Sequence, residues 1–111
     1  MSDTKSSANS SKRLEVLLKM TSSEKADSFG WYALALEYKG LARIDDAFSA
    51  FQTLRQKDPG YVPMYLMCGT MLIEAHRRDE AKEWLAAGLG AARAKGDAHA
   101  AGEIEAALAT L

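Results

Sequence analysis

From Lys12 onward, apolar residues recur three and four positions apart, which on a helix is one stripe, and short polar turns interrupt them. Leu14, Val16, Leu17, Leu18 and Met20 fit one broad helical face, with Ser10 and Ser11 ahead of it as candidate N-caps. Thr21 to Asp27 is polar and reads as a loop. Trp31, Leu34, Ala35 and Tyr38 then fall at i, i+3, i+4 and i+7, which predicts an amphipathic helix over 28–39 that stops at Gly40. Asp45 is placed to cap the next helix, with Asp46 in the first turn near the positive end of the dipole. Ala47, Phe48, Ala50, Phe51 and Leu54 supply its buried stripe. Asp58-Pro59-Gly60 ends it, because Pro59 lacks an amide hydrogen and disfavours helical backbone at Asp58.

The pattern then returns. Tyr65, Cys68, Gly69 and Leu72 repeat Trp31, Leu34, Ala35 and Tyr38, and Asp79, Glu80, Ala81 and Leu85 repeat Asp45, Asp46, Ala47 and Phe51. The shift is the same for every one of these pairs, with no gap between them. A fixed period of this size marks a stack of helical pairs, and no stretch alternates with the period of a strand. The fold class is all-α.

At these residues the chain resembles the tetratricopeptide repeat family, whose unit of roughly 34 residues is a helix–turn–helix. Residues 28–61 match its pattern through Trp31, Leu34, Ala35, Tyr38, Ala47, Phe51 and Pro59, with Leu54 in the third-to-last slot. Residues 62–95 match through Tyr65, Gly69, Leu72, Ala81, Leu85 and Gly88. They depart from it with Cys68 in the leucine slot and Arg93 in the proline slot, so the second helix of that unit should run on past Leu89 towards Ala94 or Lys95. Small residues at Ala35, Gly69, Ala47 and Ala81 let paired helices approach closely, and the aromatics fill the space around the contact. The resemblance implies a short right-handed α-solenoid of about six helices. Residues 1–11 read as a flexible polar tail and 12–111 as a single repeat domain, with 12–27 an N-terminal half unit and 96–111 a capping helix. Leu14, Leu17 and Met20 occupy second-helix core slots, and Ile104 and Leu108 should pack back on the helix over 79–95.

Charge and chemistry narrow the picture further. Fourteen Lys and Arg against fifteen Asp and Glu leave a net charge of −1, with no basic field to attract nucleic acid or anionic lipid. No apolar run approaches the roughly 20 residues of a membrane span, and the opening residues lack the apolar core of a signal peptide, so a cytoplasmic location is expected. The single cysteine, Cys68, rules out an internal disulfide and sits on a buried face where a thiol acts as a small hydrophobe. His76 and His99 have no ligand-spaced partners and read as turn and cap residues. Gly88-Leu89-Gly90 follows helix rather than strand, with no Lys-Ser or Lys-Thr after it, so it is not a phosphate loop. Asp45-Asp46 and Asp79-Glu80 share one place in each unit and read as helix caps rather than paired catalytic acids. Arg77, Arg78 and Lys82 are offset by Asp79, Glu80 and Glu83. Met64, Met67 and Met71 read as core. No catalytic, cofactor or metal site is visible.

The family resemblance implies a concave groove lined by first helices. Its slots here are Phe29, Tyr32, Leu36 and Lys39, then Pro63, Leu66, Thr70 and Ile73, with His99, Gly102 and Ala106 on the last helix. Such an apolar lining on a small protein marks an interaction surface. The carboxylate clamp of heat-shock-protein adaptors is not matched, since its slots hold Tyr32, Leu36, Met67, His99 and Glu103 instead of paired cationic donors. The expected function is therefore a non-catalytic interaction module that binds an apolar or amphipathic segment of a protein or peptide partner, as a monomer or weak homodimer. The alternative is a self-associating structural protein whose groove is covered by its own N-terminal segment or a second subunit.

Overall fold

The computed structural model describes residues 10–111, so most of the tail expected over residues 1–11 lies outside the described residues. Among the described residues there are six helices and no strand: α1 (Lys12–Thr21), α2 (Ser28–Gly40), α3 (Ile44–Lys57), α4 (Pro63–Glu74), α5 (Arg78–Ala94) and α6 (Ala98–Leu108). They form two compact units, Met1–Lys57 and Asp58–Leu111, divided at the Asp58-Pro59-Gly60 turn.

In the first unit α2 packs against both α1 and α3. Ser11 caps α1 by accepting the Leu14 amide hydrogen at 2.9 Å, and its own hydroxyl donates to Glu37 of α2 at 2.9 Å. Arg13 approaches the same carboxylate at 3.3 Å. Asp27 caps α2 by accepting from the Gly30 amide at 2.8 Å. Leu34 and Ala35 of α2 are buried, as are Ala47, Ala50, Phe51 and Leu54 of α3. The face expected on α1 is narrower than its apolar residues suggest. Leu14, Leu17 and Thr21 are buried, whereas Val16, Leu18 and Met20 are exposed. The reason is that α1 packs chiefly on α2, so one narrow stripe suffices, and Met20 leaves its expected core slot to Thr21. Thr21 satisfies its buried hydroxyl by donating to the Leu17 carbonyl at 2.8 Å.

In the second unit α5 packs against α4 and α6. Val62, Leu85, Ala92 and Ile104 form the core cluster, and Leu108 packs against it. Met64, Tyr65, Cys68, Met71 and Leu72 are buried on α4, while Met67 is half-buried. Helix α5 continues to Ala94, as an arginine in place of the repeat's proline predicts. Asp97 caps α6 through the Ala100 amide at 3.0 Å, and Arg93 of α5 meets Glu105 of α6 at 3.2 Å.

The turn inside each pair is built identically. Ala42 and His76, at equivalent positions of the two repeats, both take a left-handed backbone with φ of 60° and 61°. Each closes a helix end through a hydrogen bond that spans the turn, Arg43 amide to Tyr38 carbonyl at 2.9 Å and Arg77 amide to Leu72 carbonyl at 2.8 Å. The turn after α5 uses the same geometry with Gly96 in the left-handed slot. An L-residue with a side chain is disfavoured there. Ala42→Gly is therefore expected to raise stability by up to about 1 kcal/mol, the relieved strain less the added backbone entropy. A denaturant midpoint that falls would contradict it.

The repeated acids sit one step deeper than expected. Helices α3 and α5 start at Ile44 and Arg78, so Asp45-Asp46 and Asp79-Glu80 lie in the first turn rather than at the cap. The left-handed residue places an arginine at the helix entrance instead, and it turns onto the acid three positions on. Arg43 Nε meets Asp46 at 2.9 Å, and Arg77 Nε meets Glu80 at 2.6 Å. The hydrogen bond from Arg77, aided by its charge, holds the Glu80 carboxyl below the usual carboxylate range.

Candidate interaction surface

On α2 the spacing of Phe29, Tyr32, Leu36 and Lys39 puts them on one face, opposite the buried Leu34. Phe29 is 67% exposed, and Tyr32, Leu36 and Lys39 are half-buried. An exposed phenylalanine flanked by tyrosine and leucine gives this face a large apolar area, with the Lys39 charge at its C-terminal end.

The corresponding residues of the second unit behave differently. Pro63 opens α4 at its first turn, where its missing amide hydrogen costs nothing. Leu66 and Ile73 are half-buried and pack against the core cluster, along with Ala100, Ala101 and Leu108 of the C-terminal helix. Helix α6 touches α4 as well as α5, so part of the apolar surface on this face serves the unit's own packing. Thr70 donates its hydroxyl hydrogen to the Leu66 carbonyl at 2.9 Å and leaves its lone pairs to accept. On α6, His99, Gly102 and Ala106 are exposed, with His99 Nε2 at 3.3 Å from Glu103.

Cys68 is fully buried. His76 lies in the left-handed turn. Among the described residues no three His, Cys, Asp or Glu side chains gather as a metal site would require. No helix among them is long and apolar enough to cross a membrane. Gly88-Leu89-Gly90 lies inside α5, where its amides are committed to the helix.

Sequence reading missed two features of this surface. One is the contact of α6 with α4, beside Leu66 and Ile73 packed on the core cluster, whose only prior signal is the run of alanines at 98, 100 and 101 that allows close approach. The other is a cavity on the opposite side of α2, for which the signal is a single difference between the repeats.

Comparison with known proteins agrees with this architecture. A family model described as tetratricopeptide repeat matches residues 40–103. The crystal structure of a tetratricopeptide repeat domain protein from Salinibacter ruber is similar, with 31% identity and a TM-score of 0.69 over 76% of this chain and 93% of that one. The solution NMR structure of a tetratricopeptide repeat domain protein from the same organism aligns with 30% identity and a TM-score of 0.73, covering 79% of this chain and 89% of that one. No curated protein matches. The repeat spacing, the paired helices and these likenesses together place the chain in the tetratricopeptide repeat family.

Proposed function

We propose that the protein is a non-catalytic interaction module that holds an apolar or amphipathic segment of a protein partner against first-helix faces, that of α2 in the first unit and that of α4 in the second, each taken by itself. Repeats of this family generally mediate protein–protein contacts. The observation that carries the reading is Phe29, a phenylalanine 67% exposed on the same helical face as Tyr32 and Leu36. An exposed ring costs solvent contact unless a partner covers it, and aromatic side chains give much contact area for little lost rotamer freedom. In this reading Phe29, Tyr32 and Leu36 are the anchors of the first unit and Lys39 orients the segment. In the second unit the corresponding candidates are Leu66, Thr70 and Ile73, half-buried on α4.

The test is a pull-down from the source cell's lysate with wild type and Phe29→Glu in parallel. At 67% exposure the substitution should leave far-ultraviolet circular dichroism unchanged. Proteins retained by the wild type are expected to fall at least tenfold with the variant. Equal retention by both baits would remove this face from the binding surface. Sedimentation of a wild-type dimer that Phe29→Glu converts to monomer, with no retained protein, would assign the face to self-association instead.

A further inference from the structure

The first unit contains a cavity of about 350 Å³ on the side of α2 opposite Phe29 and Tyr32. Trp31, Leu34 and Tyr38 of α2 line it, with Leu18 of α1 and Ala50 of α3 as further walls. Its mouth opens to solvent, since Leu18 is 42% exposed and Ser22 and Ser49 are not buried.

The second unit shows what such a space holds. Moving on by one repeat carries Trp31 to Tyr65, Leu34 to Cys68, Tyr38 to Leu72 and Ala50 to Trp84. There Trp84 is buried at 4% exposure, and its indole lies 5.8 Å from the Tyr65 ring, tilted by 48°. That distance and tilt suit an aromatic pair. Where the second repeat has its own indole, the first has a methyl group and an open space. The space exceeds the roughly 150 Å³ that accommodates a benzene ring in an engineered apolar cavity.

The polar lining selects among aromatic rings. Thr21 donates its hydroxyl hydrogen to the Leu17 carbonyl at 2.8 Å, Ser22 to Lys19 at 2.7 Å, and Thr53 to Ser49 at 3.2 Å. With their hydrogens committed to backbone, these hydroxyls offer lone pairs, which suits a ring that carries a donor. The Trp31 Nε1 is buried with no acceptor among the described residues, and Lys57 Nζ lies over the ring 6.0 Å from its centroid, so packing and this cation–π contact hold the indole as one wall of the cavity. Both of the chain's own tryptophans are already committed, Trp31 as a wall and Trp84 in its own unit, so a second copy cannot supply the indole.

We propose that this cavity is a docking pocket for a tryptophan side chain presented by a different protein, set against Trp31 as Trp84 is set, tilted, against Tyr65. The pocket is separate from the Phe29 face and does not rest on it.

The experiment is a titration of the nitrogen-15-labelled full chain with N-acetyl-tryptophanamide, following the two indole N–H signals by NMR. Trp31→Phe assigns them. The Trp31 signal and the Ala50 and Thr53 amides are expected to shift saturably at millimolar probe, while the Trp84 signal stays in place. N-acetyl-leucinamide should produce no comparable shift. Ala50→Trp, which supplies the missing indole from within, should abolish the response. Should Ala50→Trp fail to fold by circular dichroism, Ala50→Leu narrows the pocket and is expected to weaken the response at least tenfold. An unmoved Trp31 signal, parallel movement of both indoles, an equal response to the leucine analogue, or a full response in the filled variant would each overturn the proposal. Saturation by free indole without saturation by N-acetyl-tryptophanamide would overturn delivery of the ring by a chain.

Discussion

Gly88→Ala is expected to destabilise the protein by about 2 kcal/mol or more, while Gly90→Ala, two residues along the same helix, stabilises it by about 0.5–1 kcal/mol. Both glycines lie inside α5 and carry the same backbone-entropy penalty. They differ in what a methyl group would meet. At Gly88 it would run into Tyr65 Cβ, 2.9 Å from Tyr65 Cγ and 3.3 Å from Ile104 Cδ1. Tyr65 Cβ moves only with the α4 backbone, so relief requires α4 and α5 to separate, and the helix-propensity gain of about 1 kcal/mol is outweighed. At Gly90 nothing lies within 4 Å, and the propensity gain stands alone. Urea melts of the two variants beside the wild type would show opposite displacements of the midpoint. A stabilised Gly88→Ala would mean that the helices have room the structure does not show. Gly69 is an intermediate case, since its added methyl would lie 2.5 Å from Leu85 Cδ2 and 2.6 Å from Cγ, atoms that a rotamer change can partly withdraw.

Phe51→Ala is expected to cost about 3–5 kcal/mol, the largest effect of any single change considered. Phe51 has no exposed surface and sits on α3 between Ala47, Ala50 and Leu54, all buried. Removing its ring forfeits the transfer free energy of the side chain and leaves a void that the surrounding structure refills only in part. Against a typical total of about 5–15 kcal/mol, such a loss brings the first unit near its limit. A calorimetric midpoint lower by more than about 12 °C would be the sign of it. A shift of only a few degrees would mean that the ring is less tightly packed than its burial indicates.

Much of this architecture is legible in the sequence because the repeat states each residue twice. Trp31 alone is an aromatic on a helix, but paired with Tyr65 in the next repeat it fixes both register and helix face. Gly88 is not marked in this way, since its counterpart one repeat earlier is Leu54, and only the family pattern gives it as a small-residue slot. Features outside the doubled pattern were harder to read. Val16 and Met20 are as apolar as Leu14 and Leu17, and only the number of helices packed on α1 decides which pair is buried. The left-handed turns at Ala42 and His76 were hidden because neither residue is the glycine or asparagine that usually signals that backbone. Of the expected interaction surface, Phe29 stands open, whereas Leu66 and Ile73 share their surface with α6. The period does not reveal that sharing, because the final helix has no second copy to compare with. The cavity was legible in principle, in the pairing of Ala50 with Trp84, but a small residue in a core slot reads as close packing unless the space around it is known.

Consecutive helices pack in both units, and in the second unit α4 also meets α6 across the single helix α5. Consequently no native contact within a unit requires a long stretch of chain to be brought back on itself. The entropy of loop closure is therefore small at every step, and topology of this kind belongs to the microsecond-to-millisecond range of folding times. Newly made chain can bury α2 against α3 as soon as both have emerged, so the interval during which Phe51 and Leu54 are open to aggregation is short.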